Sequence, residues 1–161
     1  MTPYLFSLAA KWFWIVLILS TVFNVRAFWL RAQPHIARNP ALEAGYRALV
    51  SGALIFGILP WLIVGAGCLS GGVRSVFEFF RPRDGNPFVT AFYVLLFLEW
   101  TLGSYWILFR GGAKTLIDHP GLFNFNAKDK RTVILIWGLG ITGSIVGVIF
   151  LFTFDIPRFP S

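Results

Sequence analysis

Four runs of apolar residues, each about as long as a bilayer crossing, alternate along the chain with short segments that hold most of its charge. The runs are Tyr4 to Val25, about Ala44 to Leu69, Phe88 to Phe109, and about Thr132 to Phe154. About 20 apolar residues at 1.5 Å rise per residue cross a hydrocarbon core of about 30 Å, so each run predicts one transmembrane helix. The expected fold is therefore all-α: a four-transmembrane-helix bundle forming a single membrane domain over residues 1–161, with short interfacial segments between the spans.

The first run is interrupted by Lys11, and Val25 and Ala27 have the spacing of a signal-peptide cleavage site. The leader carries little positive charge, however, and Arg26 and Arg31 follow where a translocated chain would avoid them. It is read as an uncleaved span, with Lys11 snorkelling to the nearer surface or paired. In the segment that follows, Arg26, Arg31, Arg38 and Arg47 surround Phe28, Trp29, Leu30 and Ile36. Basic and aromatic residues together suit a headgroup zone, so Arg26, Trp29, Arg31 and Arg38 are expected to contact lipid at the interface.

Punctuation residues fix where helices begin and end. Asn39-Pro40 and Asn86-Pro87 each read as a start, because asparagine caps free amides and proline at the first helical position gives up a hydrogen bond that was unpaired anyway. Asn126 with Asp129 resembles a capping box for the fourth span. Gly71-Gly72 and Gly111-Gly112 close helices, Asp84-Gly85 and His119-Pro120-Gly121 are turns, and VFEFF at 76–80 is a short apolar piece suited to the surface. Pro60 is expected to kink the second span.

Small residues recur at four-residue spacing in the second and fourth spans: Ala48/Gly52, Ala53/Gly57, Gly140/Ser144 and Gly143/Gly147. Such spacing lets another helix approach closely, so these two spans are expected to pack on each other, with Gly52, Gly57, Gly140, Gly143 and Gly147 as contacts.

Composition agrees with the pattern. A chain that is 57% hydrophobic and 13% charged, with mean hydropathy +0.71, has too much apolar surface for one soluble core of 161 residues. The net charge of +7 would suit nucleic acid, but the basic residues lie in short segments between apolar runs and read as topology signals, so no nucleic-acid partner is expected. Nine lysines and arginines lie in the first and third connections against five on the other side. By the positive-inside rule both termini face the non-cytoplasmic side of a bacterial-type inner membrane.

Chemistry-bearing residues are few. Glu99 sits near the middle of the third span and shares a helical face with Phe92, Leu96, Gly103 and Trp106, so its partner must come from outside that helix. Lys11, entering the parallel first span from the same face, is the best internal cation, and Gly103 one turn on leaves a notch for a second helix. His35 and His119 both fall in connections, which disfavours a haem between helices, and the Asp118-His119 pair reads as part of a turn with no metal-ligand spacing. Cys68 alone excludes an internal disulfide and reads as a small buried hydrophobe. No nucleophilic triad or phosphate-cradling loop can be assembled, and no catalytic or metal site is expected.

The chain holds 18 Phe, 7 Trp and 4 Tyr, with Trp12, Trp14, Trp29, Trp106 and Tyr46 placed for an interfacial belt. No cofactor is expected, although the surplus rings would suit a bound lipid, quinone or pigment as well as a partner helix. The segment RAQPHIARNPALEAGYR looks a little like the first inner loop of the membrane-associated eicosanoid and glutathione metabolism family. Asn39 and Glu43 are four apart where that family has three, and the third span lacks its arginine and tyrosine pattern, so membership does not follow.

The expected function is an accessory or scaffold subunit of a larger membrane complex, in contact with lipids and with other membrane subunits or copies of itself. The alternatives are a small proton- or cation-coupled transporter using Glu99, and a membrane enzyme acting on a lipid or thiol substrate.

Overall fold

The computed structural model describes residues 3–121 and 129–154, and the side chains of 5–121 and 129–154. Five helices account for most of them: α1 (Pro3–Arg38), α2 (Glu43–Ser70), α3 (Pro87–Phe109), α4 (Gly112–Asp118) and α5 (Lys130–Thr153). There is no strand among the described residues. Four of the helices, α1, α2, α3 and α5, are long and apolar enough to cross a membrane. The protein is an all-α integral membrane protein of four spanning helices, and the four expected runs lie on these helices.

The caps behave as the sequence implies. Asn39 is extended (φ −144°, ψ 91°) and its side chain accepts from Ala41 N–H at 3.3 Å, opening a 3-10 turn at Pro40–Leu42 that leads into α2. Asn86 accepts from Phe88 N–H at 3.0 Å at the start of α3, and its Nδ2 donates to Gly72 O at 2.7 Å, which ties the start of α3 to the end of α2. Gly71, Gly85, Gly111 and Gly121 all have positive φ, the conformation in which a glycine avoids the Cβ clash. Asp129 caps α5 by accepting from Thr132 N–H at 2.9 Å and from the Thr132 hydroxyl at 2.9 Å. Asn126, the other half of the expected box, lies outside the described residues.

Three expectations are corrected. The segment carrying Arg26, Arg31 and Arg38 is no separate interfacial piece: α1 continues through it, 36 residues long. At 1.5 Å per residue that is about 54 Å, well beyond the hydrocarbon thickness. Pro34 does not end the helix, since it costs one backbone bond beyond the apolar run, where water can replace it. The 76–80 piece turns inward as a 3-10 turn with Val76 and Phe79 buried, because Tyr93 of α3 donates its hydroxyl to Phe79 O at 2.7 Å. Finally, α2 and α5 are not packing partners: α1 packs on α2, α2 on α3, and α3 on α5, so the spans form an open series. Short connections keep successive spans adjacent, and α4 carries the chain from α3 to α5.

Burial concentrates at the two ends of the spanning helices. At one end, Val64, Cys68, Val73, Val76, Phe79 and Val89 form a cluster covered by Trp14, Trp61 and Phe92. At the other, Ala32 and Tyr46 pack with Phe28, Trp29, Ile36 and Leu116, while Ile107, Ala113 and Val133 join α3, α4 and α5. Between the ends, α1 and α2 approach closely where Gly57 faces Thr21, whose hydroxyl lies 3.0 Å from Leu17 O and 3.3 Å from Gly57 O.

Candidate functional site

Two places carry polar chemistry inside this apolar frame: the middle of α3, and the basic end where α1, α2 and α4 meet.

In the middle of α3, Glu99 is half-buried and its Oε1 is buried with no hydrogen-bond partner. The ion pairs among the described residues are Arg47–Glu43 at 2.7 Å and Arg81–Asp84 at 3.1 Å. Lys11 therefore does not pair with Glu99. It is exposed on α1, which packs chiefly on α2, so running parallel to α3 does not bring the lysine to Glu99. A charged or polar group at this depth is costly unless paired, which makes Glu99 the one acid of the spans' interior that asks for something beyond this chain.

One turn along, the expected notch is filled. A Cβ on Gly103 would lie 2.7 Å from the Trp137 ring of α5, and Trp137 Nε1 donates to Ser104 Oγ at 3.0 Å. The indole is seated by the missing side chain and oriented by the hydroxyl. This contact fixes α5 on α3 within two turns of Glu99.

The other predicted glycines divide sharply. Gly57 faces Thr21 as described, but a Cβ added at Gly52, Gly140, Gly143 or Gly147 would meet no described neighbour within 4 Å. The GxxxG face of α5 is thus open, with Ser144 turned back to donate to Gly140 O at 2.9 Å.

At the basic end, Arg26 and Arg38 are exposed. Arg31 is half-buried, with its guanidinium carbon 5.1 Å from the Phe28 ring centroid and its Nε donating to Ala27 O at 3.3 Å. Trp29 packs into the cluster around Tyr46, and Trp14 packs on Gly65 between α1 and α2, its Nε1 buried without a partner. Both rings serve helix packing where the sequence suggested a headgroup belt.

The structure also assembles a cluster that sequence reasoning missed. The ring of Tyr46, fully buried, lies between His35 (centroids 6.4 Å apart, stacked) and His119 (4.8 Å, edge-on). The Tyr46 hydroxyl donates to Pro120 O at 2.7 Å. His119 Nδ1 lies 2.7 Å from Thr115 O; a carbonyl only accepts, so the proton sits on Nδ1 and Nε2 faces Gly45, where a Cβ would overlap it. These groups come from positions 35, 46 and 119, too far apart in sequence for any spacing rule. The available signals were Gly45 beside Tyr46 and the turn at His119-Pro120-Gly121. With the Tyr46 hydroxyl and His119 Nδ1 both committed to backbone carbonyls, the cluster pins α4 and its turn onto α1 and α2. No group of three or more His, Cys, Asp or Glu that could hold a metal ion occurs among the described residues.

No family model matches the chain, and no curated protein or solved structure matches it either.

Proposed function

We propose that the protein is an accessory or scaffold subunit of a larger membrane complex, set in a bacterial-type inner membrane with both termini on the non-cytoplasmic side. The observation that carries this reading is the open face of α5: a Cβ added at Gly140, Gly143 or Gly147 would meet nothing within 4 Å among the described residues. Small residues at this spacing are favoured where helix backbones touch, and within a single span they cost helix propensity with no return. The open series of helices supports it too, since four spans in that arrangement enclose no pathway of their own. Orientation rests on nine lysines and arginines against five.

The test is substitution on that face. Gly143→Leu and Gly147→Leu leave the isolated chain folded, because the space is open, and remove co-purifying subunits from membrane extracts. Undiminished co-purification in both variants would reject α5 as the contact.

A second reading, a proton- or cation-coupled carrier, is favoured by the unpartnered Oε1 of Glu99. It requires that Glu99→Gln abolish ion flux in reconstituted vesicles; unchanged flux rejects it.

A further inference from the structure

The α3–α5 pair holds a feature that the scaffold reading does not use. The two helices touch at both ends of their shared length. Trp137 sits on Gly103 and Ser104 at one end; at the other, Tyr93 and Phe152 meet edge-on with centroids 5.5 Å apart, and Arg83 Nη1 donates to Thr153 O at 3.2 Å. Along this shared length, reaching past the Tyr93–Phe152 contact, lies a groove of about 450 Å³, lined by Pro82, Tyr93, Phe97, Trp100, Val148 and Phe152 among others. Its volume falls in the roughly 300–1,000 Å³ range of small-molecule sites.

Three observations say what fits it. The walls are almost wholly apolar, apart from Thr90 and the Tyr93 hydroxyl already committed to Phe79 O, and all but Pro82 belong to spanning helices, so the ambient molecule is lipid. The lining runs from Thr90 to Trp100, ten residues or about 15 Å at helical rise, which is half of a hydrocarbon core of about 30 Å and so the depth of one leaflet. A helix about 10 Å across would occupy roughly 1,200 Å³ over that length, well beyond the groove's volume of about 450 Å³, whereas a single acyl chain is much thinner. At the mouth, Pro82 lines the groove between Arg81 and Arg83, and Arg83 is exposed with its guanidinium held against the end of α5. A fixed arginine beside an apolar slot at the membrane surface is complementary to a phosphate attached to a hydrocarbon chain.

We propose that this groove holds one acyl chain of an anionic phospholipid whose phosphate is bound at Arg83. The lipid occupies the space between α3 and α5 that protein side chains leave unfilled.

The test uses the full chain reconstituted into vesicles of equal parts phosphatidylglycerol and phosphatidylcholine, re-extracted in mild detergent and weighed by native mass spectrometry. The expected result is one retained phospholipid per chain, with phosphatidylglycerol favoured about fivefold, the ratio given by about 1 kcal/mol per basic residue near a headgroup. Val148→Trp, which fills the slot, removes the retained lipid, while Leu135→Trp, on an exposed position of α5 outside the lining, leaves it in place. Arg83→Gln keeps one lipid but brings the two headgroups to equal retention. The proposal is overturned by an absence of stoichiometric lipid, by equal headgroup retention in the unaltered protein, or by retention that Val148→Trp does not reduce, which is annular lipid only. Should Val148→Trp fail to fold, as helical circular dichroism would show, the headgroup ratio with and without Arg83→Gln decides alone.

Discussion

Tyr46 donates its hydroxyl to the carbonyl of Pro120 at 2.7 Å, joining the start of α2 to the turn after α4 across 74 residues of chain. The ring also fills the space between the two histidines, so its packing and its hydrogen bond can be separated. Tyr46→Phe keeps the ring and loses the bond, at an expected cost of about 0.5–1.5 kcal/mol. Tyr46→Ala also empties a fully buried site and costs about 3–5 kcal/mol. Equilibrium unfolding in mixed micelles measures both, and equal costs would show that the ring contributes nothing.

Gly45 is required by its neighbour rather than by its backbone. A Cβ there overlaps the His119 imidazole, which is itself held by Thr115 O. Gly45→Ala is expected to destabilise by about 1–3 kcal/mol, as overpacking does. In the double variant with His119→Ala the clash is gone, so the two costs fall well short of adding. Additive costs in the double-mutant cycle would contradict the contact.

On α3, Gly103→Leu should displace the Trp137 indole, break its bond to Ser104 and destabilise the attachment of α5 by about 1–3 kcal/mol. Ser104→Ala tests the bond alone, for which interhelical bonds in membranes average about 0.6 kcal/mol. Gly147→Leu, with open space around it, changes the isolated chain by no more than about 0.5 kcal/mol. Unfolding of the three variants side by side checks the order.

The cap of α5 carries a pH dependence. The Thr132 backbone N–H, then its hydroxyl, hold the Asp129 carboxyl below the usual carboxylate range. A depressed folded-state value means that the cap's contribution is fully present above the ordinary value and is lost as pH falls through the lowered one. Protection of the Thr132 amide, measured relative to its intrinsic exchange rate at each pH, should therefore fall only in acid, and in Asp129→Ala it should be low at all pH values. A pH-independent Asp129 protein would remove this account of the cap.

The spans were legible because apolar length is a one-dimensional property, and the caps because Asn39-Pro40 and Asn86-Pro87 act within a few residues of themselves. Pairing between helices was not. A GxxxG pattern permits close approach but does not name the partner, so Gly57 and Gly103 found Thr21 and Trp137 while Gly140, Gly143 and Gly147 found none. The expected Lys11–Glu99 pair failed for the same reason: depth is readable along a chain, whereas the order of helices around an axis is not. The His35, Tyr46 and His119 cluster depends on α1 continuing past the membrane, which its run of arginines concealed.

The most direct measurement is the native mass of the complex released from the protein's own membrane in mild detergent, with and without Gly143→Leu. The scaffold account predicts other subunits at constant stoichiometry with the unaltered chain, and their loss from the variant. A bare monomer, or a copy-only oligomer that survives Gly143→Leu, would contradict it.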